Sequence, residues 1–234
     1  MTIYYSVQWA PEILHLFSSG EINSAIKIID KKLSKNPTSE SLLCQKGVLL
    51  QTSGDVAGSL AIFDRILSCN PDSIPGLIGK GVSLANAHQH EDAIILLKKA
   101  LILSPADDTA LMNLGSLMAA IGQKKEALSL FEQAIQERPD ATDAYIGKAR
   151  ILFERRDLTK ALEYAEIGIL KRKDNGEMWA VHAEILFEMQ QIGESLASAI
   201  IATQLAPDLP SSWNVMALNR YHLKEYEEAI SAVK

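Results

Sequence analysis

Groups that do chemistry are scarce in this chain. Its two cysteines, Cys44 and Cys69, form no C-x-x-C motif and suggest neither a disulfide framework nor a zinc site. The five histidines, His15, His88, His90, His182 and His222, are scattered. Only His88 and His90, with Glu91 and Asp92, bring metal-ligand residue types together, in a polar stretch where exposed side chains are expected anyway. No G-x-S-x-G motif and no phosphate-cradling glycine loop is present. The sequence therefore reads as not an enzyme, with no catalytic residue, no metal and no cofactor. A charged n-region followed by an apolar core is missing, which argues against a signal peptide. The most apolar segment, Ala93 to Leu103, is broken by Lys98 and Lys99 and is too short to span a bilayer. The formal net charge is −6, and the 23 basic residues form no stripe of the kind nucleic acid needs. The one basic triplet, Lys171-Arg172-Lys173, falls where a helix ends and cations favour its dipole. These absences point to a cytoplasmic protein that binds neither nucleic acid nor membrane.

What is present is a period. Prolines stand at Pro37, Pro71, Pro105 and Pro139, each 34 residues after the last; Lys173 takes the next place and Pro207 resumes the series. This register divides the chain into repeats 6–39, 40–73, 74–107, 108–141, 142–175 and 176–209, with a partial seventh at 210–234. Only Met1–Tyr5 falls outside it. A repeat of this length packs only on its neighbours and needs no central core.

The stretch 108–141 is the most explicit copy. Leu111, Leu114, Gly115, Met118, Ala127, Phe131 and Pro139 fall on the helix–turn–helix pattern W-x2-L-G-x2-Y…A-x3-F…P. The chain thus resembles the tetratricopeptide repeat (TPR) family. The resemblance implies an all-α, right-handed superhelical solenoid of antiparallel helix pairs, six full repeats plus a partial seventh, forming one domain over residues 1–234.

Residue choice within each repeat supports two helices, A and B. In the first repeat, helix A is expected near Val7–Ser19 and helix B near Ile22–Lys35. Gly20, Gly54 and Gly122 mark the stop of helix A, where a left-handed residue is wanted; His88, Arg156 and Gln190 hold that place in other repeats at some local cost. The fourth place is large, as in Leu43, Tyr145 and Trp179, and the eighth is small, as in Gly47, Gly81 and Ala149. Trp179 is expected in the core. Asp72, Asp140 and Asp208 lie near where an N-cap is needed, and Pro75 and Pro210 suit a first turn. The junction Asp174-Asn175-Gly176 lacks proline and is expected to vary most in geometry.

TPR proteins usually work through the concave groove lined by their A helices, at the second, fifth, sixth, ninth, twelfth and thirteenth places. By that resemblance the candidate partner-binding residues are Ile78, Met112, Asn113, Ser116, Ile146, Arg150, Phe153, Glu154, Phe187 and Glu188. The aliphatic ones also suit packing between adjacent A helices. Asn113, Arg150, Phe153, Glu154, Phe187 and Glu188 are the stronger candidates, because core packing does not call for their polar or aromatic ends. The carboxylate clamp of co-chaperone TPRs needs Lys at a fifth and Asn at a ninth place, and neither is found. The asparagine ladder of glycosyltransferase TPR arms is reduced to Asn113. The function implied is a scaffold or adaptor that binds a partner protein, as a peptide or helix in the groove. Two alternatives follow from the abrupt end at Lys234. One is a regulatory or substrate-recruiting arm of a larger enzyme, cut short there. The other is a module that self-associates through its open C-terminal end at Ile230 and Val233.

Overall fold

The computed structural model describes residues 9–232, and among these every regular element is a helix. In chain order they are α1 (Pro11–Ser18), α2 (Ile22–Leu33), α3 (Glu40–Thr52), α4 (Val56–Cys69), α5 (Ile74–Asn86), α6 (His90–Leu103) and α7 (Asp108–Ala120). Then follow α8 (Lys124–Glu137), α9 (Thr142–Glu154), α10 (Leu158–Lys171), α11 (Gly176–Glu188), α12 (Ile192–Leu205), α13 (Pro210–His222) and α14 (Tyr226–Ala232). They alternate as A and B helices in the register of the prolines. The expected start of the first helix at Val7 lies outside the described residues. No helix among those described is long and apolar enough to cross a membrane.

The chain divides into two compact units, 1–123 and 124–234. In the first, α1 packs on α2, α3 on α4 and α5 on α6, and α7 follows. Its core gathers Ile13, Ala25, Ile29, Leu43, Leu49, Phe63 and Ile66. In the second, α8 leads into the pairs α9–α10, α11–α12 and α13–α14. Tyr145, Ala161, Ala165, Met178, Val181 and Ile185 form one cluster there, and Ala183, Ala199, Val215 and Met216 belong to another.

The turn between A and B is one device used throughout. Gly20, Gly54 and Gly122 have φ of 78°, 81° and 84°. His88, Arg156, Gln190 and Lys224 hold φ of 59°, 63°, 64° and 66° at the same place, so the left-handed conformation is set by the repeat and not by glycine. Its hydrogen bonds close the turn: at Gln190 the amide donates to Phe187 O (2.9 Å) and the next amide, of Gln191, to Leu186 O (2.9 Å).

The junction from B to the next A differs in two respects from the sequence reading. The N-caps are one residue later than Asp72 and its equivalents. Ser73, Asp107 and Asn175 accept hydrogen bonds from the amides of Gly76, Ala110 and Met178. The junction without proline is also regular, because Arg172 has φ −146°, ψ 95°, beside −139°, 94° for Asn70. A second lock holds this junction as it holds two that contain proline. Trp179 Nε1 donates to Lys173 O (2.8 Å), as Trp213 Nε1 does to Pro207 O (2.7 Å) and Tyr145 OH to Pro139 O (3.2 Å). Trp179 is half-buried for that reason and not fully interior: its indole N–H needs the junction carbonyl.

Packing between neighbouring repeats depends on paired sizes. A Cβ at Gly47 would lie 2.5 Å from the Phe63 ring, and one at Gly79, in the next A helix, 2.1 Å from it. Phe63 thus fills a slot between two glycines. Phe131 meets Gly147 in the same way, at 2.5 Å. Where the B helix carries Ala165 instead, the next A helix supplies the larger Val181 within the same cluster.

Candidate functional site

The ten candidate residues separate by burial. In the first unit, Ile78 and Met112 are buried, and Asn113 is wholly so, its Nδ2 donating to Thr109 O at 2.8 Å. Ser116 is half-buried. In the second unit Ile146 is buried. The four buried residues are not offered at the surface. Asn113 occupies the sixth place, the one at which Gly79 and Gly147 meet a phenylalanine of the preceding B helix, so a side chain there enters the joint between helices. Its polar type suggests the surface, and its place overrides that suggestion.

The remaining candidates share the A-helix side of the second unit. Arg150, half-buried on α9, reaches toward α11, where Nη2 lies 3.5 Å from Glu177 Oε1 and Nη1 3.9 Å from Glu184 Oε2. One guanidinium at these distances serves two carboxylates without closing tightly on either. Burial pushes the Glu184 carboxyl above its ordinary pKa, Arg150 draws it back, and Glu177 adds to the rise. Asp143 is raised likewise, first by burial and then by Glu177. Asp143, Glu177 and Glu184 are absent from the sequence-based candidates, although their second and ninth places fall within the groove spacing. The pairing of Glu177 and Glu184 through Arg150 joins two helices and cannot be read from one.

Two aromatics flank this cluster. Phe153 is half-buried against the α9–α11 core, and Phe187 packs on the next cluster with its ring 5.2 Å from His222, edge to face. Glu154 is exposed and paired with Lys124 at 2.7 Å. Glu188, also exposed, pairs with Arg156. The surface is therefore apolar at Phe153 and Phe187 and charged along its borders.

Other polar groups are engaged elsewhere. Lys148 is buried, bonded to Glu132 and, at 2.9 Å, to Tyr164 OH, with its ammonium 4.0 Å above the Tyr164 ring. That arrangement ties α8, α9 and α10 together. Burial, with Glu40 nearby, pushes the Cys44 thiol up to about 12, which leaves it unreactive near neutral pH. Among the described residues, no group of three or more metal-ligating side chains comes together.

Comparison with known proteins identifies the repeat. Two family models described as tetratricopeptide repeat match residues 78–141 and 122–185. No curated protein matches in sequence. Among solved structures, 94% of the chain superposes on 44% of a chain in the APC/C hetero-tetramer Cut9–Hcn1, with a TM-score of 0.79 and 17% identity. The chain thus spans less than half of that relative. A thermophilic TPR protein of Thermus thermophilus, TTC0263, matches 82% of the chain over 99% of its own length, with a TM-score of 0.66 and 19% identity. A tetratricopeptide repeat protein of Parabacteroides merdae covers 94% of the chain with 88% of its own length, at a TM-score of 0.68 and 16% identity. At such identities the likeness is one of fold.

Proposed function

Since this chain is a tetratricopeptide repeat protein, and such repeats generally mediate protein–protein interaction, we propose that it is a non-enzymatic scaffold whose working surface is the A-helix face of the second unit. A segment of a partner protein, helical or extended, lies along α9 and α11. Its apolar side chains rest on Phe153 and Phe187, while Arg150, Glu154 and Glu188 set its register. The observation that carries this reading is the pair of half-exposed phenylalanines at the twelfth place of successive A helices, beside an arginine held only by long ion pairs. Core packing alone asks for neither. A pre-formed stack presents these groups without further ordering on binding.

The test is affinity capture from the native cell's lysate, comparing the chain with an Arg150→Glu, Phe153→Ala, Phe187→Ala variant of unchanged helicity. Met112→Glu is unsuitable, because Met112 is 1% exposed and a charge there would unfold the joint. A protein retained by the chain and lost by the folded variant supports the reading. Equal retention by both overturns it.

A further inference from the structure

From the second repeat on, the seventh place carries Lys46, Lys80 and Lys148 in three of the joints between repeats. Each lysine pairs with a carboxylate of the preceding B helix, 16 residues earlier: Asp30 at 2.6 Å, Asp64 at 2.6 Å, and Glu132. In two joints the lysine and the acid are lost together, since Leu114 follows Lys98 and Met216 follows Ile200. The joint between the fifth and sixth repeats fits neither pattern. It keeps the acid, Glu166 on α10, and puts His182 of α11 in the lysine's place. The imidazole is half-buried and lies edge-on to Trp179, with ring centroids 5.8 Å apart. Its Nδ1 is 3.0 Å from Ser198 Oγ of α12. Ser198 is buried, and its one hydroxyl hydrogen goes to Glu194 O at 3.0 Å. The hydroxyl oxygen therefore accepts from the ring, so Nδ1 carries the proton and Nε2 is the nitrogen that titrates.

We propose that this joint is acid-sensitive: His182 replaces the permanent lysine cation of other joints, and its protonation loosens the packing of α11 on α10 and α12. The proton arrives on a ring that Trp179 flanks and Ser198 holds in place. The charges that act on it are Glu166 from α10 and Glu194 from α12. The other neighbours of α11 meet it elsewhere, α9 where Arg150 lies near Glu177 and Glu184, and α13 along Ala183 and Phe187. Both carboxylates favour a charged ring, but burial opposes it more strongly and holds the histidine below its ordinary value. The unfolded chain thus binds this proton more readily than the folded one. The stability contributed by neutral His182 is full above the ordinary value of 6.5, declines as pH falls toward the folded value, and is gone below it. Glu166 limits that loss, a role for which Leu114 and Met216 give an acid no occasion. The inference does not depend on a partner at Phe153 and Phe187.

The experiment follows the histidine resonances of the whole chain by NMR from about pH 4 to 8, with His182 assigned by its loss in His182→Gln. His182 should titrate with a midpoint below 6.5 and, when neutral, show the tautomer with its proton on Nδ1. Glu166→Gln should move the midpoint lower still. Hydrogen exchange, corrected for the intrinsic effect of pH, reads the joint itself. Between about pH 7.5 and 5 the amides of α11 and α12 should lose protection in the chain and keep it in His182→Gln. His182→Lys, which rebuilds the ion pair of the other joints with Glu166, should also keep it, and decides the matter if glutamine disturbs the fold. A midpoint at or above 6.5 overturns the proposal. So does protection that is indifferent to pH, or a loss of protection that persists in both variants.

Discussion

Asn219 Nδ2 donates to Ser195 Oγ across 2.8 Å, and Ser195 Oγ donates in turn to Ala183 O at 2.7 Å. Both side chains are completely buried. The joint between the second and third repeats has the same form, with Ser59 Oγ donating to Ser83 Oγ at 2.9 Å. Elsewhere the two places hold Ala and an aliphatic residue: Ala25 with Leu49, and Ala161 with Ile185, each pair within one core cluster. Polar meets polar and apolar meets apolar, because Asn219 opposite an apolar residue would keep its bond to Val215 O and leave its second amide hydrogen unpaired. Ser195→Ala should therefore cost about 1–3 kcal/mol, by removing an acceptor from a buried amide. Adding Asn219→Leu should recover most of that loss by recreating an apolar joint. A double-mutant cycle by urea unfolding measures it; single effects that simply add would refute the coupling.

Gly147 should respond against its helix propensity. Alanine in a helix interior is normally favoured over glycine by about 1 kcal/mol. Here the added methyl carbon would sit 2.5 Å from Phe131 Cε2, so overpacking outweighs propensity. Gly147→Ala is expected to destabilise by about 1–3 kcal/mol. Combining it with Phe131→Leu should return part of the loss, since the smaller side chain vacates the slot. A melting temperature that rises with Gly147→Ala alone would show that the ring moves aside freely.

These joints explain what the sequence discloses and what it withholds. The period, the helix pairs and the left-handed turn at Gly20 and its equivalents depend on residues close in the chain, so local chemistry reveals them. The place of a side chain in a joint depends on its partner 16 or 24 residues away. Phe131 and Gly147 are separated by the first interval, and Ser195 and Asn219 by the second. Asn113 reads as a surface residue because only its polarity is legible. Trp179 reads as a core residue because its apolar area is legible and its bond to Lys173 O is not. Of the candidate surface, Arg150, Phe153 and Phe187 follow from their places in the repeat. The carboxylates that Arg150 draws together do not, since they lie on another helix.

Gln190 offers a simple gain. It holds φ 64° at an exposed turn, a conformation that costs a side chain with a Cβ about 1 kcal/mol. Gln190→Gly should stabilise the chain by roughly 0.5–1 kcal/mol, the relief of strain exceeding glycine's entropy in the unfolded state. Gly54→Ala should move stability the opposite way. Thermal unfolding of the two variants reads both signs, and a loss on Gln190→Gly would mean that the turn costs nothing.

Glu184 ties the candidate surface to pH. Burial raises its pKa above the unfolded value despite Arg150. In the interval between the two values the folded state holds more protons than the unfolded one, so stability falls as pH rises through that interval. Above the raised folded value the charged carboxylate imposes its full cost; below the unfolded value the cost is gone. Glu184→Gln should therefore raise the unfolding temperature at pH 7, and its advantage should fade as pH drops below the ordinary carboxylate range. Arg150→Gln should act in the opposite direction, because it removes the cation that holds the Glu184 pKa down. Melting curves from pH 3 to 8 distinguish these outcomes. If Glu184→Gln destabilises at pH 7, the Arg150 pair outweighs burial, and the guanidinium is bound more firmly than a partner-binding role would require.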